Sequence, residues 1–167
     1  MWHKVVQVLI LGEVVSKSEL QGICSRLKKS GKKIVFTNGC FDLLHVGHIR
    51  YLKGAKELAA VLVVGLNSDQ SVRKLKGPQR PIQPENDRAE ILSSLSSVDF
   101  VSIFDDETPL NIIELIRPDI LVKGGDWSID KIVGADIVKS YGGSVKNIQF
   151  VEGHSTTTLI NKLLTGK

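Results

Sequence analysis

Two histidines three residues apart, His45 and His48, follow a short strand pattern and a polar turn. Residues 33–36 form a β-branched and aromatic run, and turn-forming residues take over at 37–39. A helix pattern begins near Val46, so the two imidazoles are expected in the loop and first turn of a helix. Backbone N–H groups there lack intrahelical partners and lie at the positive end of the helix dipole. This stretch therefore predicts a binding site for an anion such as phosphate.

The histidine pair has two other interpretations. Histidines at positions i and i+3 of a helix can bind zinc, but no third ligand follows at a suggestive spacing. The two cysteines, Cys24 and Cys40, do not form a Cys-x-x-Cys pair. The histidines can also be solvated surface residues. Their position between a strand and a helix favours anion binding over both alternatives.

The elements that must position the histidines alternate between strand and helix patterns. A capping box at residues 16–19 predicts a helix through about Lys29, and Thr108 is expected to be the N-cap of a later helix. Strands are predicted at 33–38, 61–66, 99–104, 119–122 and 145–150, and helices at 46–59, 68–75, about 84–95, 108–116 and 135–141. This alternation predicts a Rossmann-like, doubly wound parallel α/β sheet of about five strands with helices on both faces.

Polar residues follow two of these strands and are expected at the same edge of the sheet as the histidines. Asn67 and Asp69 come directly after the strand at 61–66, and they are expected in one cleft with Asn38. Capping of the next helix by Asn67 or Ser68 is an alternative, and both roles can hold at once. After the strand at 119–122, two glycines allow the backbone to approach a ligand closely.

Two further segments have compositions that suit phosphate. Residues 73–84 carry four cations, three prolines and one glycine, which predicts a mobile basic loop or a solvated run of charge. Residues 153–158 read Gly-His-Ser-Thr-Thr-Thr at the start of a terminal helix. Capping needs one hydroxyl, whereas this stretch supplies four, so it predicts a second phosphate site.

The composition indicates one globular domain. The chain has 167 residues, 42% of them hydrophobic, and no apolar run of about 18 residues that would span a membrane. The apolar opening at 1–15 contains charged residues and lacks a signal-peptide cleavage site, and the two cysteines fit a reducing compartment, so a cytoplasmic protein is expected. A net charge of +4 with 5% aromatic residues and scattered basic residues suits phosphorylated substrates better than nucleic acid.

Five ordered motifs carry a resemblance to a known family. The stretch from Thr37 to His48 resembles the signature of the HxGH nucleotidyltransferase superfamily in its cytidylyltransferase-like form. Four more stretches match in order: Gly65-Leu66-Asn67-Ser68-Asp69, Lys76-Gly77-Pro78-Gln79-Arg80-Pro81-Ile82, Val122-Lys123-Gly124-Gly125-Asp126-Trp127 and Glu152-Gly153-His154-Ser155-Thr156-Thr157. Within the superfamily the set most resembles the adenylyltransferases that make ADP-heptose, and the resemblance covers the chain from about Ser16 to its end.

The resemblance implies an activity, its substrates and a domain organisation. The activity is transfer of the adenylyl group of ATP to D-glycero-D-manno-heptose 1-phosphate, for lipopolysaccharide core or another heptose-containing surface glycan. Magnesium is implied as a cofactor that is bound through phosphates and not by protein side chains, and a homodimer is implied. We expect a leader and helix at 1–32 and a nucleotidyltransferase domain at 33–167, resembling the stand-alone form without a kinase domain.

The resemblance also assigns roles to residues. The catalytic residues are His45, His48 and Lys76, with Lys76 preferred over Lys74. The nucleotide-binding residues are Thr37, Asn38, Gly39, Phe41, Asp42, Asn67, Asp69, Arg88, Lys123, Gly125, Asp126, Ser155, Thr156 and Thr157, and the substrate-binding residues are Cys40, Arg80 and Trp127. Three alternatives are open: a subunit contact or pairing with a carboxylate of its own helix for Arg88, and core packing for Trp127.

One departure from the pattern bears on the nucleotide. Related cytidylyltransferases have an arginine three residues before the glycine of the last motif, where this chain has Phe150. The departure favours ATP over CTP. Alternatives are cytidylyl or adenylyl transfer to another acceptor, such as glycerol 3-phosphate or flavin mononucleotide, and a nucleotide-binding sensor without turnover.

Overall fold

The computed structural model of the chain describes residues 11–125, 128–149, 156 and 159–160. It contains a parallel sheet, and the two histidines follow one of its strands. Its strands are β1 Glu13–Val14, β2 Ile34–Gly39, β3 Val61–Asn67, β4 Phe100–Phe104, β5 Ile120–Gly124 and β6 Ser144–Ile148. Within these described ranges the sheet has six strands in the order β1-β4-β3-β2-β5-β6, and every neighbouring pair is parallel. The predicted Rossmann-like α/β fold is confirmed.

Helices connect the strands close to the predicted positions. They are α1 Lys17–Lys29, α2 Val46–Lys56, α3 Asp69–Lys76, α4 Glu85–Ser93, α5 Leu110–Ile116 and α6 Ala135–Ser140, with a 3₁₀ turn at Ile129–Lys131. Ser16 and Glu19 form the predicted capping box, and Ser68 caps α3 by accepting from the N–H of Ser71. The prediction of Thr108 as an N-cap is wrong, because α5 begins one residue later with Pro109 at its cap.

Helices lie on both faces of the sheet because its central strands are apolar on both faces. In β2, Ile34 and Phe36 pack in a cluster with residues of α1, α5 and α6. Val35 points to the other face and packs in a cluster with residues of α2 and α4. All seven residues of β3 are buried, as expected for a strand that is covered on two sides.

The strand order reverses beside β2, and this reversal places the site. The chain builds the sheet in one direction from β2 through β3 to β4, then crosses to the other side of β2 to form β5 and β6. Ligands of open α/β sheets bind at the carboxyl ends of the strands where the order reverses. The carboxyl ends of β2 and β5, at Gly39 and Gly124, flank that point.

The sixth strand comes from the opening segment, whose role the sequence did not predict. Glu13 and Val14 pair with Phe100 and Val101 at the edge of β4. The N–H of Gly12 donates to the carbonyl of Ser93 at 2.8 Å. A Cβ on Gly12 would lie 2.3 Å from the carbonyl oxygen of Val98, so only glycine allows this approach. Among the described residues, none of the helices has the length and apolar character to cross a membrane.

Candidate active site

The turn from β2 into α2, residues 40–45, is called the histidine turn. Phe41 takes the left-handed conformation at a φ of 43° and is buried, with its ring centroid 5.3 Å from that of His48. A Cβ on Gly39 would lie 3.0 Å from the Phe41 ring, so a side chain there would displace the ring. Gly39 and Phe41 therefore shape the turn beneath the histidines.

The two histidines lie side by side at the start of α2. Their ring centroids are 3.9 Å apart and the ring planes differ by 28°. His45 is the N-cap residue with extended backbone, and its side chain makes no capping hydrogen bond, so the N–H groups of the first turn are open to a ligand. The two imidazoles therefore lie where the sequence predicted them, in the loop and first turn of a helix.

His48 is neutral at pH 7. Burial, together with a smaller effect of the neighbouring His45, lowers the pKa of its imidazole to about 4. Its Nδ1 is buried without a hydrogen-bond partner in the part of the chain that the structure describes. A neutral imidazole offers one N–H donor and one acceptor, so the ring can donate to a phosphate oxygen without carrying charge.

Cationic side chains from separate segments surround Cys40 at the end of β2. Burial raises the pKa of the Cys40 thiol, and four positive charges act in the opposite direction: Lys76, Arg88, Lys123 and Arg80. These residues come from the end of α3, from α4, from β5 and from the loop between α3 and α4. Two of them, Arg80 and Arg88, are paired with carboxylates, and Lys76 and Lys123 leave a net positive charge at this end of β2, which suits a polyphosphate.

Asp42 bonds the loop between α3 and α4 to the histidine turn. We call residues 77–84 the basic loop. The Oδ2 of Asp42 accepts from Nε of Arg80 at 2.5 Å, and its Oδ1 accepts from the N–H groups of Ile82 and Gln83 at 2.8 and 3.1 Å. The sequence predicted a mobile basic loop or a solvated run of charge at 73–84, and the structure holds residues 80, 82 and 83 of it through hydrogen bonds to Asp42. The carboxylate, predicted to bind nucleotide, lies against protein groups.

Arg88 lies fully buried behind the histidine turn. Its Nη1 donates to the carbonyl oxygens of Cys40 and Asn67 at 2.5 and 2.9 Å, and its Nε donates to that of Gln83 at 3.0 Å. Its Nη2 donates to Asp69 Oδ1 at 2.8 Å. The carboxylate partner therefore belongs to α3 and not to its own helix. The side chain of Arg88 has no exposed surface. It links the histidine turn, the stretch from Asn67 to Asp69 and the basic loop.

The ammonium of Lys123 lies beside Asn38 at the point where the strand order reverses. Its Nζ is 3.2 Å from Asn38 Oδ1, and burial lowers the pKa of the amine. Gly125 follows with a φ of 104°, and its N–H donates to the carbonyl of Ile148 at 3.0 Å. Lys123 and Asn38 thus bridge the carboxyl ends of β5 and β2, as the sequence predicted for the cleft.

A tyrosine that the sequence analysis missed supports the helix of the histidines. The hydroxyl of Tyr51 donates to the carbonyl of Val122 at 3.2 Å and lies 2.6 Å from Oγ1 of Thr37. Since the tyrosine proton goes to the carbonyl, Thr37 donates in the second bond. Thr37 is fully buried, so its hydroxyl faces the core. The signal was present, because Tyr51 lies three residues after His48 on the same helix face.

Two other predicted residues bond to protein groups near the site. Asn67 is 4% exposed and donates through Nδ2 to Ser71 Oγ at 3.0 Å, while the Ser71 hydroxyl donates to the carbonyl of Asp106. Thr156 donates through Oγ1 to the carbonyl of Leu43 at 3.2 Å, so the last motif reaches the histidine turn. The predicted site residues Asp126, Trp127, Ser155 and Thr157, and the departure at Phe150, lie outside the described residues.

Within the described ranges, no group of three or more His, Cys, Asp or Glu side chains is arranged to hold a metal ion. Asp42 of the histidine turn and Asp69 at the start of α3 already accept from Arg80 and Arg88. A magnesium ion at this site would therefore be bound mostly through oxygens of the substrates.

A groove of about 370 Å³ lies at the opposite edge of the sheet, away from the histidines. Lys28, Arg117 and Tyr141 are among its lining residues. Lys28 donates to the carbonyl of Ile116 at 2.6 Å, and the Arg117 guanidinium lies 4.5 Å from the centre of the Tyr141 ring. Lys28 stabilises the carboxyl end of α5, and Arg117 stacks on an aromatic ring, so both have structural roles. The groove is therefore not a candidate for the chemistry.

Comparisons with known proteins agree with the geometry. The model of a family described as cytidylyltransferase-like matches residues 36–161. The "Bifunctional protein HldE" of Geobacter sulfurreducens is 54% identical over 145 residues, which are 87% of this chain and 30% of that protein. The protein of the same name from Geobacter metallireducens is 57% identical over 145 residues, again 87% of this chain and 30% of that protein.

The chain thus spans about a third of the length of these curated relatives. Among solved structures, the lipopolysaccharide core biosynthesis protein of Thermoplasma volcanium superimposes with a TM-score of 0.60 and 31% sequence identity. The match covers 74% of this chain and all of the other.

Proposed function

The chain belongs to the cytidylyltransferase-like family, and we propose that it transfers the adenylyl group of ATP to D-glycero-D-manno-heptose 1-phosphate. The products are ADP-heptose and pyrophosphate. The observation that carries the proposal is the stacked pair of His45 and His48 at the start of α2, with the cations Lys76 and Lys123 acting on the neighbouring Cys40. A site that aligns two phosphorylated substrates needs this density of positive charge and hydrogen-bond donors.

The reaction requires no protein nucleophile. An oxygen of the sugar 1-phosphate attacks the α-phosphorus of ATP, the new P–O bond forms, and the bond to the β-phosphate oxygen breaks. Pyrophosphate leaves with the electron pair of that bond. The protein therefore acts by holding two anions in line and by stabilising the charge that gathers on the α-phosphate oxygens.

The residues of the site have separate roles in this scheme. His45 and His48 donate to the α- and β-phosphates, assisted by the N–H groups at the start of α2. Lys76 and Lys123 offset the negative charge of the phosphates, and Ser155 to Thr157 hold the terminal phosphates. Magnesium bound through phosphate oxygens supplies further charge neutralisation.

The neutral state of His48 agrees with this division of roles. A ring whose pKa is lowered to about 4 donates a hydrogen bond at pH 7 but does not act as a general acid. The reaction needs no such acid, because pyrophosphate is a stable leaving group when its charge is neutralised. Donation and positioning are therefore sufficient.

The choice of acceptor and nucleotide rests on the motif set. The five ordered motifs resemble those of adenylyltransferases that make ADP-heptose, and Phe150 stands where cytidylyltransferases have an arginine. The product would feed the synthesis of lipopolysaccharide core or another heptose-containing surface glycan. We further propose a cytoplasmic homodimer.

Two measurements on the purified protein test the reaction. Mass spectrometry should find ADP-heptose when ATP, magnesium and the sugar phosphate are all present. Labelled pyrophosphate should exchange into ATP only when the sugar phosphate or the product is added, because the transfer is direct. Exchange with ATP alone would indicate an adenylylated protein and would exclude direct attack.

A further inference from the structure

Building on the proposed function, we propose that Asp42 is a positioning residue. It fixes the second half of the basic loop against the histidine turn and thereby presents the guanidinium of Arg80 to a phosphate group of a substrate. Asp42 then acts through Arg80 and does not bind the nucleotide itself.

The surroundings of Asp42 exclude a direct role in binding phosphate. Its side chain is 1% exposed, and its two carboxylate oxygens accept three hydrogen bonds, all from residues 80–83. An ionised carboxylate repels phosphate. A buried carboxylate also needs hydrogen-bond donors from the protein, because it has lost its contacts with water. The basic loop supplies those donors.

The contact between the two side chains leaves most of the arginine available. An arginine has five N–H donors in a planar fork, and Arg80 uses the one on Nε to bond Asp42 at 2.5 Å. Its Nη1 and Nη2 make no hydrogen bond to any residue that the structure describes. The four N–H groups on these nitrogens match the oxygens of a phosphate group. The Asp42 bond at Nε fixes the plane of the fork.

The location of Arg80 supports a substrate as its partner. Its positive charge acts on the thiol of Cys40 together with those of Lys76, Arg88 and Lys123. Arg88 has no exposed side-chain surface, and Lys123 lies against Asn38. Arg80 keeps 19% of its side chain exposed, so it can still reach a ligand in this cluster.

The loop is also held from its other side. The N–H of Gln83 donates to Asp42 at 3.1 Å, while its carbonyl accepts from Nε of Arg88 at 3.0 Å. Two buried side chains of opposite charge therefore fix the same residue. The position of Arg80 follows from this arrangement before any substrate binds.

Hydrogen exchange tests, without any substrate, whether Asp42 holds the basic loop. In Asp42→Asn the amides of Ile82 and Gln83 should exchange at least about tenfold faster than in the wild type, because a neutral amide is a weaker acceptor than a carboxylate. The matched control is Asp87→Asn, an exposed aspartate at the start of α4, which should leave both rates unchanged. Unchanged exchange in Asp42→Asn would overturn the proposal whether or not the enzyme turns over.

Steady-state kinetics test whether Asp42 orients the Arg80 guanidinium toward a substrate. Arg80→Lys should raise KM at least about tenfold for one substrate, either ATP or the sugar phosphate, with a smaller change in kcat. Asp42→Asn should raise KM for the same substrate, and Asp42→Asn combined with Arg80→Ala should be no worse than Arg80→Ala alone. Additive losses, or a uniform fall in kcat with both KM values unchanged, would contradict the proposal.

The proposal can still be tested if the enzyme shows no turnover or if one variant does not fold. If no substrate pair turns over, titration of pyrophosphate by calorimetry should show at least about tenfold weaker binding in Arg80→Lys, and equal binding would overturn the role of Arg80. If Asp42→Asn does not fold, the kinetics or binding of Arg80→Lys decide the proposal alone.

Discussion

The imidazole rings of His45 and His48 lie stacked, with centroids 3.9 Å apart, at the first turn of α2. The N-cap position of His45 and the partial burial of His48 give the two rings different surroundings within one turn. A single anion at the helix end could contact both rings and the backbone N–H groups between them.

Replacing His45 tests its proposed role as a transition-state donor. His45→Ala should lower kcat by about 10² or more, because one lost donor to developing charge has that effect. The matched control is Lys53→Ala, an exposed lysine of the same helix, which should retain wild-type rates. Steady-state rates of His45→Ala within about threefold of the wild type would remove His45 from the chemistry.

The lowered pKa of His48 predicts a dependence of stability on pH. The folded pKa is about 4, while the unfolded value is about 6.5. Between these values the unfolded chain binds more protons, so the free energy of unfolding should fall as the pH falls from 6.5 to 4. It should depend less on pH in His48→Gln. Denaturant titrations at several pH values measure both slopes.

An NMR titration checks the same pKa directly. The ring protons of His48 should titrate near pH 4 in the free protein. The midpoint should move upward when a triphosphate is added, because an adjacent anion favours the protonated ring. A midpoint near 6.5 in the free protein would contradict the burial argument.

Lys76 and Lys74 provide a matched pair in the last turn of α3. Lys76 is the last residue of α3, and its charge acts on both Cys40 and Lys123. Lys76→Ala should lower kcat/KM by about tenfold or more through loss of a cation near the phosphates. Lys74→Ala, a change in an exposed residue of the same helix turn, should have less than about a threefold effect. The reverse order would place Lys74 at the phosphates.

Arg88 should contribute mainly to stability. Arg88→Lys keeps a positive charge, but one ammonium cannot reach the three carbonyls and the Asp69 carboxylate together. Unsatisfied buried acceptors should lower the free energy of unfolding by about 3 kcal/mol. Arg73→Lys on the exposed side of α3 should change it by less than about 0.5 kcal/mol. Equal denaturant midpoints for the two variants would refute the role of Arg88.

Features that depend on neighbouring residues could be predicted from the local sequence. The capping box of Ser16 and Glu19 joins groups three residues apart, and the buried run of β3 needs only its own composition. The parallel pairing of the strands followed from the alternation of strands and helices. These features can therefore be predicted from the sequence alone.

Partners that are distant in the chain could not be predicted in the same way. Asp42 bonds residues 38 to 41 positions later, and Arg88 bonds carbonyls up to 48 positions earlier. Both were predicted to bind nucleotide because they lie in or near motifs, and motif membership does not specify which atoms a side chain contacts. The pairing of β1 with β4 is likewise set by tertiary contact.

The most direct test of the central claim is a measurement of pyrophosphate release with magnesium. ATP and CTP are each combined with heptose 1-phosphate, glycerol 3-phosphate and flavin mononucleotide. We predict release only with ATP and heptose 1-phosphate, and loss of that release in His45→Ala. Release with another pair would contradict the proposed substrates, and no release from any pair, with measurable binding of ATP, would contradict catalysis.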